Sequence, residues 1–561
     1  MSKAVTRVAL VALGHRAGVR RKRVSPWVPA GPSEPRTCSG SAAERRGMRC
    51  MAPGRSRAPT SWGVRGGVCP HAELRPRPRA SLTCGLGRPM VARSGASAAP
   101  GAGALSQARR EAMPEPIEWP AAVDETVRNL ARLLQADTSN PPGNEWPAIQ
   151  AIRDILLREG FPEDEITIVE AAPKRVSLIA RLRGDGSARP LLLSGHVDVV
   201  PVERERWTHD PFGGEVADGC IWGRGAVDMK GFLAMYLEAF LLARRQGLPL
   251  KRDLILAAIA DEEAGFDYGS RYLVDHCRGL IDAEFAFNEG GAMTLPMGNL
   301  RVYPIQVAEK GVCWLRMTAQ GQAGHGSMPR EDNAILHLAE ALGRLRRARH
   351  LPVHITPTFR SMVEALAGQM RFPVRTLVGL LRHPLAARLA LAALPAGARP
   401  LLVPMLSNSV SPTMLAAGSK ENVIPASASA VLDCRLLPGQ TPESAMREIL
   451  AITGRRVSLE PIHTTSGAEF STDTPLYRLL VQATKRMDPE GIVFPMLSPG
   501  ASDAAEYQRA GIKVYGFTPM VLPKGFSIME LAHGHDERLP ISAIETGLPV
   551  LYDVIREFCT A

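Results

Sequence analysis

The chain has 561 residues, 45% of them hydrophobic, with a formal charge of +11 and 9 cysteines, too long for one compact domain and long enough for two or three with their own cores. Residues 1–112 hold 21 of the 67 Lys+Arg but only 4 of the 56 Asp+Glu, a net of +17. The other 449 residues carry 46 basic and 52 acidic side chains, a net of −6, which argues against a basic nucleic-acid-binding core.

The first stretch is rich in Arg, Ala, Gly, Pro and Ser, with clusters such as Arg20-Arg-Lys-Arg23 and Arg75-Pro-Arg-Pro-Arg79. Few apolar residues and high like charge predict a disordered leader over 1–112. Its apolar run Val8–Leu13 is too short for a signal-peptide core, and the Arg clusters follow it rather than precede it. Three readings compete: a transit peptide, a nucleic-acid-binding tail, and translation from upstream of the true start. The third is adopted, because Arg outnumbers Lys 57 to 10 as in a GC-rich genome and Met113 stands just before the first convincing helix. Four cysteines fall in the leader, and five are scattered through the body without CxxC spacing. That pattern predicts a cytoplasmic chain without a disulfide framework.

From Val123 the pattern becomes helical, with Val123, Val127, Leu130 and Leu134 on one face before the turn Ser139-Asn-Pro-Pro-Gly143. A second helix is predicted from Trp146 to Leu157. Short apolar strands then alternate with helices: Leu191–Leu193, the helix Lys230–Arg245 closed by Gly247, Leu254–Ala260, Phe285–Phe287 and, near the end, Lys513–Phe517. This predicts an α/β catalytic domain, a mixed and mainly parallel sheet flanked by helices. Between Tyr303 and Ile462 the rhythm differs: Val312–Ala319 and Ala428–Arg435 alternate as half-buried strands, with a helix over Asn333–Arg347. An α+β domain over 304–462 is therefore predicted to interrupt a catalytic domain made of 113–303 and 463–561. No membrane span is predicted, since Arg and Pro break the apolar stretch Phe372–Leu406.

Ligand-type residues recur where these strands end: His196 and Asp198, Asp228, Glu262-Glu263, Glu289, and downstream His533 and His535. Open α/β sheets bind ligands outside the carboxyl ends of their strands, so these segments can converge on one crevice. Two His and three carboxylates suit Zn²⁺, and one bridging carboxylate allows two metals. Taken singly each has a plainer reading. His196 alone suits a core or surface histidine, Glu262-Glu263 a solvated turn, Asp228 a helix cap, and His533 with His535 an exposed loop.

The segments resemble the di-zinc hydrolase family of aminoacylase, acetylornithine deacetylase, succinyl-diaminopimelate desuccinylase and the glutamate and vacuolar carboxypeptidases. The resemblance runs through Gly195-His196-Val-Asp198, Gly223-Arg-Gly-Ala-Val-Asp228-Met-Lys-Gly231, Asp261-Glu262-Glu263-Ala-Gly265, Asn288-Glu289-Gly-Gly291, Gly324-His325-Gly-Ser327, Asn422-Val-Ile-Pro425, Arg435-Leu-Leu-Pro-Gly439, Gly500-Ala-Ser-Asp503 and His533-Gly-His-Asp-Glu537. It implies two zinc ions per subunit, with Co²⁺ or Mn²⁺ also compatible. Asp228 would bridge them, His196 and Glu289 would complete one site, and Glu263 and His533 the other. His533 is preferred to His535 because the family pattern places the ligand four residues before the Glu, here Glu537. Asp198 would hydrogen-bond His196 and fix its tautomer. Glu262 would be the general base, moving a proton from the attacking water to the leaving nitrogen.

The 304–462 segment resembles the family's lid, which also dimerises. There His325 would stabilise the oxyanion in the partner subunit's site, Asn422 and Arg435 would bind substrate, and Gly500 would shape the substrate loop with Asp503. Plainer readings remain: a lid salt bridge for Arg435, a turn before Pro425 for Asn422, and a helix N-terminus capped by Ser502 or Asp503.

Two features depart from the common pattern. Phe266 and Tyr268 follow the Glu pair, and the lid carries about 50 extra residues, Pro352–Met405, rich in Leu, Ala and Pro. The insertion resembles that of the vacuolar carboxypeptidase and N-fatty-acyl amino acid hydrolase branch. It lines an acyl channel on one reading and packs as extra helices on the other. The resemblance implies a homodimeric metallohydrolase cleaving the amide next to a carboxylate-bearing amino acid, in a small peptide or an N-acyl amino acid. The competing classes are a non-catalytic metal-binding protein of the same fold and nucleic-acid binding through the leader.

Overall fold

The computed structural model describes residues 116–297, 300–393 and 399–561, so expectations for the leader lie outside the described residues. Two sheets organise the chain. The larger has ten strands, with Arg175–Leu182, Leu254–Ile259, Leu191–His196, Phe285–Asn288, Lys513–Gly516 and Leu300–Glu309 consecutive across its middle. Leu191–His196 pairs in parallel with both Leu254–Ile259 and Phe285–Asn288, and Lys513–Gly516 runs parallel to Phe285–Asn288. Every residue of Leu191–His196 and Leu254–Ile259 is buried, as parallel strands covered on both faces require. Arg175–Leu182 pairs antiparallel with Leu254–Ile259 and with Ile166–Ala172, and Leu300–Glu309 joins Lys513–Gly516 antiparallel but pairs in parallel with Ile492–Ser498, giving a mixed sheet with a parallel centre.

Helices Trp119–Gln135, Lys230–Arg245 and Ile541–Thr560 pack on one another against this sheet. Helix Lys230–Arg245 is buried from Lys230 to Ala243, because it lies under neighbouring helices as well as on the sheet. Glu238 sits in its middle at 0% exposure, 3.2 Å from Arg245, with Oε2 unpartnered. Burial, reinforced by Glu125, pushes its carboxyl up to about 8. The unfolded chain ionises this group near pH ~4 and the folded chain resists until about pH 8, so its contribution to stability declines as pH rises across that window. Glu238→Gln is expected to flatten that decline in urea midpoints measured from pH 4 to 8; curves that stay parallel to wild type would contradict it.

The smaller sheet is antiparallel, ordered Ser409–Ala417, Ser427–Leu436, Gly311–Gln320 and Val457–Thr464. Helices Ala334–Ala348 and Pro442–Thr453 cover one face through Leu338, Ala341, Leu345, Ala445 and Ile449. Asn333 caps the first by accepting from the Ile335 N–H. The change of sheet falls at Lys310, later than the expected boundary at 304: Leu300–Glu309 still belongs to the large sheet and Gly311–Gln320 to the small one. The return lies between Thr464 and Ala468. The two crossings touch at Gly311 and Gly467, where a Cβ on Gly311 would strike the Thr465 carbonyl and the Gly467 nitrogen.

The insertion forms helices Pro357–Gly368, Val374–Gly379, Pro384–Ala393 and Arg399–Leu406. Phe359, Met362, Val363, Ala387 and Leu391 gather around Ile492 and Phe494 of the strand Ile492–Ser498. It therefore packs on the edge of the large sheet, with an apolar core of its own. Among the described residues no helix is long and apolar enough to cross a membrane.

Candidate metal centre

The parallel strands Leu191–His196, Leu254–Ile259 and Phe285–Asn288 end together, with His196 level with Ile259. His196 is the last residue of its strand, Glu262 and Glu263 follow theirs by a short turn, and Glu289 directly follows Asn288. Asp228 precedes helix Lys230–Arg245 but does not cap it: Met229 holds that position and no side-chain cap bond forms.

His196 Nε2 lies 3.3 Å from Asp228 Oδ1, 3.7 Å from Glu289 Oε2 and 3.9 Å from Glu262 Oε2. His533 Nε2 lies 3.2 Å from Asp228 Oδ2 and 3.1 Å from Glu263 Oε2. Asp228 thus presents one oxygen to each histidine. His535, two residues on, is exposed and reaches none of these groups. The groups His196–Asp228–Glu263 and His196–Glu262–Glu289 each bring three ligand atoms within 4.8 Å of one another.

The donor set fits a cation. His196 Nδ1 is 2.9 Å from the Asp198 main-chain oxygen, an acceptor, so Nδ1 carries the proton and Nε2 offers a lone pair. That Nε2 is buried, faces three carboxylates and has no aligned hydrogen-bond partner. Burial, then Glu289 close by, pushes Glu262 well above the ordinary carboxylate range. Burial likewise lifts Glu289 to about 6 despite His196 beside it. Hydrogen bonds to Asp228 and Glu263 raise His533 to about 10. So many carboxylates in so little water call for positive charge among them.

Asp198 differs from its expected role. Its carboxylate is 3.6 Å from the His196 ring, which is oriented by the Asp198 main-chain carbonyl. The carboxylate instead accepts from Asn140 Nδ2 at 2.8 Å and from the Glu262 and Glu263 N–H groups at 3.1 and 3.2 Å. The ring's Nδ1–H is already given to the main-chain oxygen, and the carboxylate fixes the turn that carries the Glu pair. Asp261, with φ +66°, continues this support by accepting from Asn140 and from Arg175, which also grips Glu145.

A second support lies under Asp228. Glu537 is fully buried and accepts from Arg224 Nη1 at 2.5 Å and from the N–H groups of Gly225, Val227 and Asp228 at 3.0, 2.8 and 3.0 Å. Lys230 Nζ donates to the carbonyls of Leu133 and Ala136. Asn140, Arg175, Arg224 and Lys230 were not singled out from the sequence. Arg224 and Lys230 lie inside a quoted motif, where a buried base flanking an aspartate was a usable signal; nothing in the sequence distinguishes Asn140 from a turn residue.

In the small sheet's domain, Gly324–His325 pairs with Val423–Ile424 and the Gly326 N–H donates to the Asn422 carbonyl, so His325 and Asn422 share one exposed tip. The Ser327 N–H donates to His325 Nδ1, which leaves Nε2–H as a free donor. Arg435 is held by Asp433 on its own strand, at 2.9 and 3.2 Å. Gly500 is exposed and its carbonyl accepts from the Lys310 N–H. Among the described residues, none of these four joins the acidic cluster by a hydrogen bond or ion pair. Asp503, by contrast, is fully buried with both oxygens unpartnered and makes no side-chain cap bond to the helix Ala504–Arg509; burial lifts it to about 7.

Residues 192–557 match the pattern of peptidase family M20/M25/M40. The chain is 30% identical over 387 residues to the N-fatty-acyl-amino acid synthase/hydrolase of Homo sapiens, covering 66% of this chain and 74% of that protein. It is 30% identical over 391 residues to aminoacylase-1 of Sus scrofa, covering 68% and 83%. The M20 family metallo-carboxypeptidase Sso-CP2 from Sulfolobus solfataricus shares the fold with a TM-score of 0.57 at 17% identity, over 78% of this chain and 100% of that one.

Proposed function

Since the chain belongs to peptidase family M20/M25/M40, hydrolases that act on C–N bonds, we propose that it hydrolyses the amide next to a carboxylate-bearing amino acid, in an N-acyl amino acid or a small peptide. The carrying observation is Glu262: a carboxylate whose side chain is 9% exposed and, among the described residues, makes no hydrogen bond, 3.9 Å from His196 Nε2 and beside a full set of ligand-type side chains. A merely structural metal site has no use for such a group.

His196 with Glu289, and Glu263 with His533, would hold two divalent cations with Asp228 shared between them. Zinc suits this set, Co²⁺ or Mn²⁺ also being compatible, and when bound the pair supplies Lewis acidity toward the amide carbonyl and acidifies water. Glu262 takes the proton from the attacking water and returns it to the leaving nitrogen. The Asp198 carboxylate, accepting from the Glu262 N–H, keeps it in place. Arg435 grips a carboxylate already, and a substrate carboxylate taking the place of Asp433 would be held by the same fork. Asn422 and Gly500 complete the substrate side. A panel of N-acyl amino acids, dipeptides and their C-terminal amides tests this reading: turnover is expected only with the free carboxylate, and equal turnover of the amides would contradict it.

The lid reading extends to a homodimer in the cytoplasm. The outer strand Ser409–Ala417 exposes every residue from Ser411 on, with Met414 66% and Leu415 68% exposed, an open edge suited to a second copy. The cysteines described, Cys220, Cys277, Cys313, Cys434 and Cys559, are all free thiols, consistent with a reducing compartment. If the partner subunit's His325 completes each site, His325→Ala and Glu262→Gln chains, each inactive alone, regain about a quarter of wild-type turnover once subunits exchange, because a mixed dimer contains one intact site. No gain on mixing would contradict the shared site.

A further inference from the structure

Between Glu364 and Glu421 the chain carries no acidic residue, while it carries Arg371, Arg375, Arg382, Arg388, Arg399 and Lys420. No such bias is expected of a solvated surface, where both signs intersperse, and it stands in a body whose net charge is negative. The same segment exposes large apolar side chains: Phe372 at 84%, Leu377 at 49%, Leu380 at 51%, Leu385 at 65% and Leu389 at 72%.

These are not the residues that hold the insertion together. On the helix Pro384–Ala393, Ala387 and Leu391 face the core with Phe359 and Ile492, while Leu385 and Leu389, one turn apart, lie on the opposite side with Arg388 beside them. Val378 and Leu381 turn inward where Leu377 and Leu380 do not. Arg382 is paired with Glu364, but Arg371, Arg375 and Arg388 are exposed and, among the described residues, have no acidic partner. The insertion therefore keeps one set of apolar side chains in its core and leaves another set exposed, with exposed arginines adjacent to them in the sequence.

We propose that this face docks on an anionic phospholipid surface, Leu385, Leu389, Leu377 and Phe372 entering the headgroup–acyl boundary and the arginines pairing with lipid phosphates. Charge selects this occupant. A two-fold contact with a second copy through the same face would set arginine against arginine, whereas an anionic bilayer complements both the apolar residues and the charge. Docking does not depend on the reaction assigned to the site.

The test uses the whole chain, since the basic residues 1–112 also attract anionic vesicles and must be present in every arm. Wild type and the double variant Leu385→Ser, Leu389→Ser, which removes the apolar side chains without changing the charge, are sedimented with phosphatidylglycerol/phosphatidylcholine vesicles and with phosphatidylcholine alone, in about 0.1 M salt, where the arginine–phosphate attraction is retained and the leader contributes equally to both proteins. An unchanged urea midpoint shows that the variant is folded. The expected result is a partition coefficient on mixed vesicles about tenfold lower for the variant, and wild type binding more strongly to mixed than to neutral vesicles. In Phe372→Trp, added fluorescence quenched by brominated lipid places that position in the bilayer. Equal binding of variant and wild type, no preference for the anionic lipid, no lipid quenching of the new tryptophan, or loss of self-association as the variant's only change each overturns the proposal.

Discussion

Glu262→Gln is expected to lower hydrolysis by about 10²–10⁴-fold while the metal content of the protein stays at the wild-type level. Gln keeps the volume and the backbone link to Asp198, whose carboxylate accepts from the N–H of residue 262 rather than from its side chain. What it loses is the ability to accept a proton from water and deliver it to a poor leaving group. The side chain is only 9% exposed, so bulk water offers no ready substitute. Substitution of Glu263, paired with His533 at 3.1 Å, should lower metal content as well as turnover. The two outcomes separate the proton carrier from its neighbouring ligand. Activity within a few-fold of wild type for Glu262→Gln would remove Glu262 from the reaction.

The largest effect on stability is expected at Glu537. Its removal by Glu537→Ala leaves Arg224, 3% exposed, as a buried and uncompensated guanidinium, a change that costs about 3–5 kcal/mol in comparable ion pairs. It also strips the acceptor from the N–H groups of Gly225, Val227 and Asp228, the loop that aims the Asp228 carboxylate at both histidines. Urea unfolding should show the loss in stability. Metal titration of the protein that still folds should show affinity lower by about 10–100-fold, the usual result of losing a group that orients a ligand. Glu537→Gln, which keeps one acceptor oxygen, should fall between. A shift below about 1 kcal/mol for Glu537→Ala would mean that Arg224 finds water or another partner.

The catalytic sheet was legible because its central strands are short, wholly apolar runs and its helices carry a clear period. The predicted helix Lys230–Arg245 has those bounds in the structure, and Leu191, Leu254, Phe285 and Lys513 each begin a strand where predicted. His196, Glu262, Glu263 and Glu289 were legible for a related reason: strand ends in a parallel sheet lie at one edge, so polar residues after apolar runs converge, whereas Asp228 and His533 follow no strand of that sheet.

What escaped the sequence depends on contacts between distant segments. The Asp198 carboxylate was expected on the His196 ring, two residues away, but is taken by Asn140 and by the turn at 262–263. The boundary at Lys310 was hidden because Leu300–Glu309 and Gly311–Gln320 form one almost continuous extended stretch, and strand periodicity does not report which sheet a strand joins. The insertion's position against Ile492 and Phe494 was equally invisible, since an amphipathic helix shows that it has a partner face without showing which strand fills it.

The central claim is that the cluster around Asp228 holds metal and that hydrolysis depends on it. Its most direct measurement is elemental analysis of the purified chain together with hydrolysis of an N-acyl amino acid before and after exhaustive chelation, and again after Zn²⁺, Co²⁺ or Mn²⁺ is returned. The predicted result is two divalent ions per chain, loss of turnover when they are removed, and recovery on adding them back. Turnover that persists in metal-free protein would contradict it.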